Sequence, residues 1–187
     1  MRLHDLQTHD GNRIHLHWRG FPLIPGERPG RVADAHTLES RQQAAAQEPC
    51  ARFVLPALGA PLPASSLPAL IAAKGAAQQG LETFEAFHTR LFAAHFHEHA
   101  DISQPDTLLR LAGEVGVDVQ RLAQDCAGDR LRQAVLEDWA EAVAWFGVSA
   151  LPTVIFEEKI ALVGVRTIEE YAAMLGWCQS DTEGHAR

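Results

Sequence analysis

Cysteines and histidines are the side chains of this sequence best suited to chemistry, and their spacing decides what they can do. The three cysteines, Cys50, Cys126 and Cys178, lie far apart and none belongs to a Cys-x-x-Cys. A reactive thiolate needs a lowered pKa, from a helix N-terminus, a nearby cation or a paired thiol. Cys126 instead ends Arg121-Leu122-Ala123-Gln124-Asp125-Cys126, a helical context that predicts a buried, inert thiol. Cys178, near the C-terminal tail, reads as exposed. An odd number of widely spaced cysteines does not describe a disulfide framework. His95 and His99 are four residues apart, so they share a helix face as metal ligands often do, with His88 and Glu98 nearby. No glutamate directly follows His95, however, so this is not a His-Glu-x-x-His. The reading is adventitious nickel or zinc affinity, not a functional metal centre. His15 and His17 fall on one face of an alternating stretch without further ligands and are expected to face solvent. No catalytic side chain, metal ligand or cofactor site is therefore assigned from these residues.

A different kind of signal comes from Gly147-Val148-Ser149-Ala150-Leu151-Pro152-Thr153-Val154-Ile155-Phe156. Gly147 suits a helix C-terminus because glycine enters the left-handed region without a steric penalty. Pro152 has no N–H and belongs at the first position of a strand. The β-branched and aromatic run Thr153 to Phe156 predicts that strand, buried.

This stretch, with Gly164-Val165 and a closing helix after it, resembles the C-terminal half of DsbA-family thioredoxin-like proteins, most closely the FrnE-type branch. A second stretch agrees. His17-Trp18-Arg19-Gly20-Phe21-Pro22-Leu23-Ile24-Pro25 resembles the second strand of FrnE-type proteins, where a Trp-Arg-x-Phe-x-Leu pattern recurs. The resemblance implies that Pro152 is a cis-proline facing the family's Cys-x-x-Cys. It also implies that the backbone of Leu151 pairs with a bound peptide or thiol substrate. Leu151 and Pro152 are thus the expected substrate-binding residues. Valine or threonine is often found where this chain has Leu151, a departure that bears on substrate preference and not on the fold.

The expected fold is an α/β, thioredoxin-like domain with an α-helical insertion, N-terminally truncated. One domain spans 1–187, with thioredoxin halves at about 1–24 and 129–178, a linker at 25–66 and the insertion at about 67–128. Met1 to Gln7 reads as the end of a helix, Asp10-Gly11-Asn12 as a turn, and Ile14 to Phe21 as a strand by its period of two. A short helix is expected around Asp34 to Ala46. Prolines 56, 61, 63 and 68 exclude a long helix across the linker. Two helices cover Leu67 to Phe96, punctuated at Gly80. Ser103 is read as the N-cap of a helix from Thr107 to Val115, with Asp106 reaching back. Further helices run from Val119 to Cys126 and from Asp129 to Phe146. Leu131, Val135, Trp139, Ala142 and Phe146 form the buried stripe of the last. Glu157-Glu158-Lys159 make a hairpin tip and Ile160 to Val165 the returning strand. Thr167 and Glu170 form a capping box for a helix that turns Ile168, Tyr171, Ala172 and Leu175 inward, before a frayed tail from Gln179.

Composition sets outer limits. Hydrophobic residues make up 47% of the 187 positions, ample for a core, and alanine supplies enough of them to favour helix. A net charge of −8 argues against a nucleic-acid partner. The absence of a long uncharged apolar run argues against a membrane span, and a cytoplasmic setting is expected. The partner implied by the resemblance is a protein or small-molecule thiol or disulfide substrate, and a homodimer stays open. The function implied is thiol–disulfide oxidoreduction, inactive as written because the family's first strand and Cys-x-x-Cys have no counterpart here. Three explanations stand beside one another: a start that lies upstream, a degenerate remnant, or re-paired strands that form a binding module. The first is taken as the working expectation. Glutathione-dependent isomerases of the kappa-type transferase kind share the inserted fold, with serine at the first cysteine, and are the alternative enzyme class. A non-catalytic peptide-binding module is the alternative outside enzymes.

Overall fold

The structure, a computed structural model, describes residues 3, 5–7, 14–49 and 51–184. The chain divides into two compact units, Met1–Arg19 with Ala140–Arg187, and Gly20–Trp139. Cys50 and the Asp10-Gly11-Asn12 turn lie outside the described residues.

The contiguous unit is helical. Its elements are α1 (Ala35–Gln47), α2 (Leu67–Ala77), α3 (Leu81–Phe96), α4 (Pro105–Glu114) and α5 (Val119–Ala127), followed by the first turns of α6 (Asp129–Phe146). Asp34 caps α1 by accepting from the Thr37 N–H at 2.8 Å, and Asp118 caps α5 by accepting from the Arg121 N–H at 3.0 Å. Gly80, at φ +131°, separates α2 from α3. The linker closes on itself through a bridge between Val32 and Pro61. Ser65, buried before α2, accepts from the Leu67 N–H at 3.1 Å and donates to the Ile24 carbonyl at 2.8 Å.

The expected cap of α4 is corrected. The helix starts at Pro105 with Gln104 as N-cap and no side-chain cap. Ser103 is engaged one step upstream, where its N–H donates to Asp101 at 3.0 Å and its hydroxyl donates to the same carboxylate oxygen. A local Asx turn has won the side chain that a cap would need.

α2 packs against α3, α4 and α5. Its Leu67, Ala69, Ile71, Ala72, Ala73, Gly75 and Ala76 are all buried, so it is apolar and small nearly all round. Such a helix lets its neighbours approach closely. Lys74 is its exception. Its ammonium meets Asp138 of α6 at 2.6 Å, and Asp138, itself buried, also accepts from the Gly20 N–H at 2.8 Å. Asp138 lies three residues after Val135 on the buried stripe of α6, which is the sequence signal that the expected apolar stripe passed over.

The discontinuous unit carries the sheet. β1 (Thr153–Phe156) and β2 (Ile160–Val163) pair antiparallel, with Thr153 opposite Val163 and Phe156 opposite Ile160. Glu157 and Glu158 turn the hairpin in left-handed conformations, at φ +49° and +54°, and the Lys159 N–H closes it on the Phe156 carbonyl at 2.9 Å. α7 (Ile168–Gly184) follows, its start held by a capping box in which the Thr167 N–H donates to Glu170 at 2.8 Å and the Glu170 N–H donates to the Thr167 hydroxyl at 3.2 Å. The core gathers Leu6, Ile14, Phe156, Tyr171 and Cys178, with Val154, Leu162, Met174 and Leu175 packed on it.

Three expectations change here. Residues 14–21 form no strand: Ile14 is buried, but Leu16 is 43% exposed and no strand among the described residues pairs with the segment. Period-2 patterning reports which side chains are buried, whereas a strand also needs a hydrogen-bonded neighbour. On α7 the inward stripe is Tyr171, Met174, Leu175 and Cys178, while Ile168 and Ala172 are exposed. Cys178 is consequently buried, at 7% exposure, and the helix continues past Gln179 to Gly184.

Two substitutions test this packing. A Cβ at Gly75 would lie 2.6 Å from Leu122 Cδ1 and 3.2 Å from Leu131 Cδ1. Gly75→Ala is expected to destabilise the chain by about 1–3 kcal/mol through overpacking, read from urea denaturation followed by circular dichroism. Glu158→Gly, which removes a side chain from a left-handed position, is expected to raise stability by about 1 kcal/mol in the same assay.

Candidate functional site

The Leu151–Pro152 turn is built by the elements on either side of it. α6 ends with Gly147 at φ +59°, and the Val148 N–H reaches back to the Ala142 carbonyl at 3.0 Å. That bond satisfies one of the carbonyls that a helix end leaves open. Val148 is buried and anchors the exit, while Ser149, Ala150, Leu151 and Pro152 are exposed. The Leu151–Pro152 peptide bond is cis. The Thr153 hydroxyl donates to the Ala150 carbonyl at 2.7 Å, and the Pro152 carbonyl accepts from the Gly164 N–H at 2.8 Å. The turn is thus tied on both flanks. Leu151 between them is different: its side chain is 43% exposed, and neither its N–H nor its carbonyl makes a hydrogen bond within the described residues. Val163 and Val165, on either side of Gly164, are exposed as well.

The two described thiols, Cys126 and Cys178, lie in different units. Cys126 packs against the helical unit's cluster of Leu67, Ile71, Leu131 and Val135, and Cys178 belongs to the core of the hairpin unit. Burial, reinforced by Asp125, pushes the Cys126 thiol up, away from reactivity. Among the described residues there is no cysteine pair.

The histidine pair has a partner that its spacing did not announce. His95 and His99 both face Arg41 of α1, with Nη2 3.4 Å from His95 Nε2 and Nη1 3.4 Å from His99 Nδ1. A guanidinium repels a metal ion, and no group of three or more His, Cys, Asp or Glu side chains is placed to hold one among the described residues. Burial, then the charge of Arg41 and the neighbouring His99, hold His95 down to about 4. His88 is lowered too, by burial, where it stacks on Phe84 with ring centroids 5.0 Å apart. The link to Arg41 spans more than fifty residues and has no local signature.

A helix that ends in a turn with a proline, a hairpin and a closing helix, with a helical unit placed ahead of them in the chain, define a thioredoxin-type domain carrying a helical insertion. The chain belongs to the DSBA-like thioredoxin domain family, whose family model matches residues 1–176. Among solved structures, the chain is similar to that of a candidate protein disulfide isomerase from Nitrosomonas europaea. The two share 22% identity over 78% of this chain and 74% of that one, with a TM-score of 0.66, a likeness of fold. No curated protein matches the chain in sequence. No helix among the described residues is long and apolar enough to cross a membrane.

The lowered His95 gives a pH dependence. Its folded value of about 4 lies below the ordinary 6.5, so the unfolded chain binds more protons between those limits. The stability His95 contributes is complete above 6.5 and is lost as pH falls toward the folded value. Between neutral pH and about pH 5 the loss should approach 2 kcal/mol, and His95→Gln should flatten most of that slope in urea titrations.

Proposed function

We propose that this chain carries the substrate-docking part of a DsbA-like thiol–disulfide oxidoreductase of the FrnE-type branch, inactive as written because its sequence holds no Cys-x-x-Cys. In such chemistry a thiolate at a helix N-terminus attacks a substrate disulfide and a second cysteine resolves the mixed disulfide. Leu151 and Pro152 form the wall against which the substrate lies. The observation that carries this reading is the unclaimed N–H and carbonyl of Leu151 beside an exposed leucine side chain. An extended peptide could take both backbone bonds, as in strand addition, with the side chain adding apolar contact. A protein or small-molecule thiol or disulfide substrate and a cytoplasmic setting go with the proposal, the latter in keeping with widely spaced cysteines that form no disulfide framework. The absence of a cysteine pair among the described residues favours a second reading, a peptide-binding module without redox chemistry.

Binding and chemistry separate these readings. Titration of the labelled chain with an unfolded cysteine-containing peptide, followed by NMR, should shift the backbone amides of Leu151 and Thr153. Leu151→Glu should weaken that binding about tenfold, the effect of losing roughly 1.5 kcal/mol of apolar contact. Unmoved amides at Leu151 and Thr153 would sink both readings. The in-frame DNA upstream of the Met1 codon divides them. A strand followed by Cys-x-x-Cys supports the oxidoreductase, a serine at the first cysteine supports the glutathione-dependent isomerases, and a stop codon leaves the binding module.

A further inference from the structure

The helical unit contains a buried arginine that no carboxylate pairs with among the described residues. Arg41 is 8% exposed, and its guanidinium lies 5.3 Å from the centre of the Phe96 ring. Its polar contacts are the two imidazole nitrogens of His95 and His99, both at the long limit for a hydrogen bond. A buried arginine is ordinarily met by the fork of a carboxylate or phosphate, because leaving a desolvated cation unmatched is costly. Asp101, whose charge reaches His95, and Glu98 both spend their hydrogen bonds elsewhere. Asp101 accepts from the N–H and hydroxyl of Ser103 and from the Gln104 amide, and Glu98 is held by both terminal nitrogens of Arg90 at 2.7 and 3.0 Å. A second guanidinium, Arg31, acts on the same histidine and donates to the Pro63 carbonyl at 2.7 Å.

The imidazoles add to this surplus of donors. Arginine can only donate, so the ring nitrogens facing Arg41 must accept, and each neutral ring then carries its hydrogen on the other nitrogen. For His95 that nitrogen is Nδ1, which is buried and has no partner. The cluster therefore offers an unmatched cation and an orphaned donor beside the Phe96 ring, which Phe53 backs edge-on at 5.0 Å. Every unmet requirement is for a negatively charged acceptor.

We propose that Arg41, His95 and His99 form a binding site for a small oxyanion, the carboxylate or phosphate group of a ligand, separate from the Leu151–Pro152 turn in sequence and independent of any thiol chemistry there. The guanidinium fork supplies the paired donors and the histidines adjust their ring hydrogens to the bound group. A cation is excluded by Arg41.

The test uses the full chain with labelled histidine, titrated with sodium phosphate and, separately, sodium acetate, at constant ionic strength balanced by chloride. Saturable shifts of the His95 and His99 ring signals are expected with at least one oxyanion and not with chloride, and the stronger of the two identifies the ligand group. Arg41→Lys keeps the charge but not the fork and should weaken binding about tenfold. His99→Asn, suited to the left-handed backbone at this position (φ +55°), should weaken it severalfold and decides the matter if the lysine variant does not fold. Arg90→Gln, outside the cluster, should bind as the parent does. Shifts that fail to saturate, that chloride reproduces, or that survive unchanged in the variants would overturn the site.

Discussion

A charge taken out of water has to be matched, and the helical unit turns on one such match. Lys74 is the single charged residue of α2, a helix otherwise made of alanine, glycine and aliphatic side chains, and it points at Asp138. Desolvating either group alone would cost several kcal/mol. Together, and with the Gly20 N–H as a further donor to the carboxylate, they tie three segments far apart in sequence. Alanine faces are permissive, since small side chains tolerate many rotations of one helix on another. The ion pair is satisfied in one of them. Apolar packing thus supplies the adhesion within this unit, and the lysine selects the arrangement.

The hairpin unit rests on backbone hydrogen bonds instead. The bond from the Val148 N–H to the end of α6, the Thr153 hydroxyl on Ala150 and the Gly164 N–H on Pro152 secure the residues on both sides of Leu151. Between those ties, Leu151 keeps both backbone groups unbonded among the described residues and is itself exposed. A docking residue needs a fixed position together with unspent hydrogen-bonding groups, and here the flanks provide the first without consuming the second.

Features written in neighbouring residues were legible in the sequence. Gly147, Pro152, the Thr153–Phe156 run, the Thr167–Glu170 capping box and the Gly80 break each carry their signal within a few positions, and the first three frame the candidate site. Features that depend on distant partners were not legible. The alternation at 14–21 promised a strand, but pairing is a property of two segments. Ser103 had two local partners available, and the nearer turn took it. Arg41 sits in a polar helix more than fifty residues from His95 and His99, and only the fold brings them together. Asp138 sat in plain view on the α6 stripe, overlooked because the pattern sought only apolar residues.

The division of the chain also orders its assembly in time. The helical unit is one unbroken run from Gly20 to Trp139, whereas the hairpin unit joins residues from both ends of the chain. Contacts within the first are mainly between successive helices, the kind that form quickly because little loop entropy is lost in closing them. During synthesis every residue of that run is translated before β1. Ile14 and its neighbours in that unit are therefore translated more than a hundred residues ahead of the hairpin they pack with. The unit that holds the Leu151 turn is thus the later of the two to have all its residues available.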